Sequence, residues 1–142
     1  MPFINLKIVK NQVSVEKKKE LISGITDLVV NVMGRDREFT VVTVDELDAS
    51  SWAIGGVTLD EKTSQNEIVT FVNIKVSKGT TNADEMNKMM KVTKELIIKV
   101  LGSSAVTNYF IMDELNPDGW GFDGISMTEL NKMEQEQMEQ GK

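Results

Sequence analysis

The sequence predicts an α/β (α+β) fold in which two tandem β-α-β units form a four-stranded sheet with two helices on one face. Three observations predict it. The chain repeats itself at an offset of 68 residues, each copy opens on alternating apolar and polar residues, and each then carries an apolar stripe at helical spacing. Aligned without gaps from Pro2 to Asp60, the copies share 12 identities in 59 positions. Phe3, Asn5, Lys7 and Lys10 meet Phe71, Asn73, Lys75 and Lys78; later, Gly34 meets Gly102, Asp45-Glu46-Leu47 meets Asp113-Glu114-Leu115, and Trp52 meets Trp120. The expected organisation is a first unit over 1–60, a linker over 61–68, a second unit over 69–128 and a polar tail over 129–142.

In the first unit, Phe3, Leu6 and Ile8 alternate with Asn5 and Lys7, which predicts a strand over Phe3–Val9 that Phe71–Ser77 repeats. Ser14 then opens a helix whose stripe is Ile22, Ile25, Leu28, Val29, Val32 and Met33. Asn82, with Glu85 three residues on, has the spacing of a capping box and opens the second helix, with Met90, Leu96, Ile97, Val100 and Leu101 in the same register. Gly34 and Gly102 sit where each helix closes in a left-handed cap. Phe39–Leu47 and Thr107–Leu115 read as second strands, and Trp52–Gly56 and Trp120–Gly124 as short loops or hairpins. A strand, a helix of about twenty residues and another strand make a parallel crossover. With both helices on one face, the other face, carrying Val41, Thr43, Tyr109 and Ile111, calls for burial by self-association. The tail from Leu130 to Lys142 reads as a polar extension that orders or solubilises the end of the chain.

Composition narrows the chemistry. The chain has 142 residues, 16 Lys+Arg against 22 Asp+Glu, and neither histidine nor cysteine. Disulfides, thiol catalysis, histidine bases and ordinary zinc sites are thereby excluded, and neither metal nor cofactor is expected. Acid–base chemistry falls to carboxylates, lysine, tyrosine or a chain terminus. The two halves, 1–68 and 69–142, each carry 8 positive and 11 negative side chains, a balance that argues against nucleic acid as a partner. No run approaches the ~18 apolar residues of a membrane span, and MPFINLKIVK alternates where a signal peptide is continuously apolar. The expected location is cytoplasmic, with no membrane partner.

Pro2, directly after the initiator methionine, is the residue that stands out, although taken alone it reads as a rigid entry to an edge strand. Removal of Met1 leaves a secondary amine at the head of a strand, and burial or a nearby cation lowers the pKa of such an amine toward neutrality. A base with a pKa near the working pH is both available and strong enough to take a proton from carbon beside a carbonyl.

Taken together, the Pro2 start with FINLKIV, the helical KKKELISGITDLVVNVMG, the strand ending VTVDEL and the loop WAIGG at Trp52–Gly56 resemble the 4-oxalocrotonate tautomerase family of the tautomerase superfamily, in its fused, double-length form. The resemblance implies a tautomerase-like fold, a homotrimer, and keto–enol isomerisation of a small unsaturated 2-oxo or 2-hydroxy acid by the Pro2 amine. It also implies one arginine after the first strand and one on the second strand to hold substrate carboxylates. Those places are Asn11 or Gln12 and Val41 in the first copy, and Gly79 or Thr80 and Tyr109 in the second. The candidate substrate-binding residues are therefore Trp52 and Trp120 from the family's loop, Tyr109 as a hydrogen-bond donor, the only two arginines, Arg35 and Arg37, and Lys10 and Lys78 after the first strands. Two alternatives stay open: a dehalogenase, hydratase or decarboxylase of a three-carbon acid on the same fold, and a non-catalytic oligomeric scaffold.

Overall fold

A computed structural model describes residues 1–62 and 68–140. Most of the expected 61–68 linker, residues 63–67, lies outside the described residues, as do 141 and 142. The first unit runs β1 (Phe3–Val9), α1 (Val15–Met33), β2 (Val41–Leu47) and the hairpin β3 (Ala53–Ile54) and β4 (Val57–Thr58). The second runs β5 (Thr70–Ser77), α2 (Ala83–Leu101), β6 (Tyr109–Leu115), the hairpin β7 (Gly121–Phe122) and β8 (Ile125–Ser126), and then α3 (Met127–Gln140). Both long helices begin and end as read from sequence. The Ser14 hydroxyl accepts from the Lys17 N–H, the Asn82 side chain accepts from the Glu85 N–H, and Gly34 and Gly102 close them with positive φ. The second strands start later than expected. Arg37–Phe39 forms a 3-10 turn ahead of β2, and Asn108 uses its side chain to tie down Ile68, Thr70 and Ser104 ahead of β6.

The main sheet has the order β2-β1-β5-β6, with β1 parallel to β2, β5 parallel to β6, and β1 antiparallel to β5. Asn5 stands opposite Asn73, its own counterpart in the repeat, so the two units are related by an approximate two-fold through the centre of the sheet. The helix-side face is the core: Ile4, Leu6, Ile8, Val72, Ile74 and Val76 pack under Leu21, Ile25, Val29, Met89 and Ile97. The buried stripe of α1 is Leu21, Ile25, Val29 and Met33, one step back from the Ile22 start read from sequence. In α2, Thr93 is buried and Met90 is exposed. Where α1 packs on α2, a Cβ at Gly24 would stand 2.6 Å from Leu96 Cδ1.

On the opposite face Val41, Tyr109 and Ile111 are exposed, as expected from the one-sided helix layer. Two polar clusters interrupt this apolar surface. Lys7 and Asn5 donate to Asp45 at 2.9 and 3.1 Å, and in the second unit Asn73 donates to Asp113 at 2.8 Å and Lys75 at 3.3 Å. These contacts hold both carboxyls below their ordinary pKa, chiefly through the Lys7 hydrogen bond at Asp45 and the Asn73 hydrogen bond at Asp113. Where the sequence left a polar tail there is a helix, α3, with Met127 its one buried residue. Among the described residues no helix is long and apolar enough to cross a membrane.

Candidate active site

Because β1 and β5 run antiparallel, the start of each lies beside the end of the other. Phe3 pairs with Lys75, which brings Met1 and Pro2 to the end of β5 and the turn after it. A helix of 19 residues is about 28 Å long and carries the chain back past a seven-residue strand of about 23 Å. The end of α1 therefore returns to the start of β1. The result is a small cavity of about 200 Å³ lined by Met1, Gly34, Arg35, Ser77, Thr80 and α3, whose Met127, Asn131 and Glu134 fall on one helical face.

Pro2 is buried, and its carbonyl accepts from the Val41 N–H at 3.4 Å. The structure retains Met1, whose α-amine lies in this cavity. Burial lowers that amine below its ordinary pKa, the Arg35 guanidinium lowers it further, and Asp36 opposes both. Arg35 is anchored by Nη2 to the Thr80 carbonyl at 2.8 Å and to the Thr80 hydroxyl at 3.1 Å, while its buried Nε has no partner. Burial depresses the guanidinium's own pKa, with Glu85 opposing, but an arginine starts so high that it stays charged at neutral pH. Trp120 closes the same end, donating from Nε1 to the Ser77 hydroxyl at 3.0 Å. Phe122, two residues on, stacks on Phe39 with centroids 5.3 Å apart.

The structure thus brings Pro2, Arg35 and Trp120 together. Lys78 leaves the end of β5 beside them, its N–H bonded to the Leu115 carbonyl, with an exposed side chain. Arg37 turns away to pair with Asp27 at 2.6 Å, and Lys10 lies at the far end of β1, 3.5 Å from Asp48. Trp52 and Tyr109 gather at that far end too, around Thr70. The Asp45 and Asp113 carboxylates are taken up by Lys7 and Lys75 on the open face. Sequence reading missed Thr80 as the anchor of Arg35, the Phe39–Phe122 stack, and α3 as a wall of the cavity. The available signal for Arg35 was its place directly after the cap glycine of a helix long enough to return to Pro2. Among the described residues no group of three or more acidic side chains is placed to hold a metal ion.

Comparisons with known proteins agree with this fold. The family profile described as "Tautomerase enzyme" matches residues 2–62. The "Probable tautomerase K2" of Dickeya dadantii is 43% identical over 65 residues, covering 46% of this chain and 97% of that protein, so it has the length of one repeat. The crystal structure of a native fused 4-OT superposes with a TM-score of 0.79 at 17% identity, covering 91% of this chain and 98% of that one. A fused 4-OT described as a symmetric trimer superposes with a TM-score of 0.76 at 15% identity, covering 89% and 96%.

Proposed function

This chain belongs to the tautomerase family, and from that premise we propose that it is a keto–enol isomerase of a small unsaturated 2-oxo or 2-hydroxy acid, with the Pro2 amine, freed by removal of Met1, as general base. The observation that carries this reading is Pro2, buried at the head of β1, with the Arg35 guanidinium lining the same small cavity as Met1 and its buried Nε without a partner. Arg35 reaches Thr80, one of the places where the family resemblance puts a substrate arginine. A cation absent from that place in the alignment is in this way supplied by a different element.

In the proposed reaction Arg35 holds the substrate carboxylate with its free N–H groups, at a distance that also favours the neutral amine. The amine takes the proton of the enol hydroxyl, electron density moves from oxygen through the conjugated chain as the carbonyl forms, and the ammonium returns the proton to carbon. Trp120 and the Phe39–Phe122 pair screen this end from water, which strengthens each polar contact inside it. Lys78 is a secondary candidate for the far end of the substrate. The exposed sheet face with Val41 and Ile111 is proposed to be covered in a homotrimer, with Tyr109, which lines a cavity at the head of β5, left open.

The test is an ultraviolet assay of 2-hydroxymuconate and phenylenolpyruvate ketonisation on protein whose loss of Met1 has been verified by mass. Pro2→Ala is expected to lower kcat/KM by about 10²- to 10⁴-fold with fold and oligomer intact. Correctly processed protein inactive on both enols, or equal activity in the variant, rejects the amine mechanism.

A further inference from the structure

At the head of β5, which the approximate two-fold relates to the head of β1, lies a separate cavity. It is a cavity of about 510 Å³ whose lining includes Lys7, Trp52, Thr70, Phe71, Thr107 and Tyr109, a size ordinary for small-molecule sites. It cannot do amine chemistry. The nitrogen of Thr70 is a peptide N–H that donates to Asn108 Oδ1 at 2.9 Å. We infer that this cavity is a second, non-catalytic binding site for an aromatic monocarboxylate. The inference does not depend on Pro2 acting as a base.

Space, walls and charge each point to that ligand. At the corresponding place beside the head of β1, Phe39 and Phe122 stack on each other, and the residues 68 positions away from them are Thr107 and Ile54, both lining the cavity. A ring's worth of volume is free where the first unit spends it on its own phenylalanines. Trp52, Phe71 and Tyr109 give flat faces for an incoming ring. Among the described residues Lys7 is the single charged one in the lining, and its ammonium gives one of three N–H donors to Asp45 at 2.9 Å. The others, with the Thr107 and Tyr109 hydroxyls, serve one carboxylate and not two. Asp45 lies outside the lining and partly offsets the Lys7 charge, so the expected affinity is modest.

The experiment uses Trp120→Phe in the full chain, which leaves Trp52 as the only tryptophan of two, and titrates 3-phenylpropanoate against its fluorescence. A saturable change is expected, unaltered when Pro2→Ala is added. Thr107→Phe, which rebuilds the first unit's ring in the cavity, and Lys7→Met are each expected to weaken binding by about tenfold or more. The first variant tests the volume without touching the Lys7–Asp45 pair. No saturation up to about 10 mM, equal binding of the neutral 3-phenylpropanamide, or an unchanged titration in both variants overturns the assignment.

Discussion

The heads of β1 and β5 are the same place in one fold, and the chain has used them in opposite ways. At β1 the strand begins on Met1-Pro2, Arg35 sits on Thr80, Trp120 bonds to Ser77, and α3 forms a wall. Stepping 68 positions along, Val69 and Thr70 replace Met1 and Pro2, Ser103 replaces Arg35, and Gln12 replaces Thr80, its side chain accepting from the Val69 N–H at 3.4 Å. Trp52 then packs on an apolar cluster that includes Val9, where Trp120 had the Ser77 hydroxyl. Duplication therefore kept the strands, helices and caps, which the core requires of both copies. It changed the residues at the strand heads, where Val69 is buried in that small apolar cluster while Met1 lines a cavity.

The largest expected effect separates the two heads by charge. Arg35→Gln is expected to lower kcat/KM by about one to two orders of magnitude, the worth of hydrogen bonds to a charged group, whereas Ser103→Ala leaves activity near the wild-type value. The pH profile supplies a second readout. A guanidinium beside the Pro2 amine favours its neutral form, so removing Arg35 is expected to raise that pKa, and the ascending limb, which follows formation of the neutral base, moves to higher pH. An unshifted limb with an unchanged KM would separate Arg35 from the substrate.

A smaller effect compares the two hairpins. A Cβ at Gly121 would stand 1.9 Å from the Ile125 carbonyl oxygen, so Gly121→Ala must open β7–β8 and move Trp120 and Phe122. The expected cost is about 1–3 kcal/mol in urea unfolding, with the Trp120–Ser77 bond lost. Its counterpart already carries a Cβ, and Ala53→Gly is expected to stay within about 1 kcal/mol. Equal costs in the two hairpins would show that the asymmetry at Gly121 is immaterial.

The smallest effect tests what the two copies share. Asp45 and Asp113 are both held below the ordinary carboxylate value of 3.8, so the folded state favours their charged forms. That contribution is complete above the unfolded value and fades as pH falls below it through the folded one. Asp45→Asn and Asp113→Asn are each expected to flatten the acid limb of stability slightly, and similarly, because both pairs are partly exposed. A much larger effect in the assembled protein than in dissociated chains would place the clusters inside an interface. Acid unfolding followed with sedimentation reads both.

Much of the fold was legible because its signals are local. Ser14, Asn82, Gly34 and Gly102 announce the helix ends through chemistry complete within a few residues, and the alternation in β1 and β5 reports one buried face. The α1 stripe was misread by one residue because Ile22 and Leu21 are equally apolar, and only the packing of α1 against the sheet decides which of them points inward. Pro2 was conspicuous because a proline after the initiator methionine has a simple chemical meaning. The marker of Arg35 was weaker, its place directly after the cap glycine Gly34, and it does not say which way the side chain turns.

What the sequence determined by itself is the repeat, and with it the composition of each unit, the exclusion of thiol and imidazole chemistry, and the presence of one proline amine per chain at most. Tertiary structure decided which residues keep company. The antiparallel pairing of β1 with β5 sends Ser77, Thr80 and Trp120 of one unit to the head of the other, and the length of α1 brings Arg35 back to Pro2 while Arg37 pairs with Asp27. A site assembled from residues more than 30 positions apart has no local signature, because its chemistry depends on distances that only the folded chain sets.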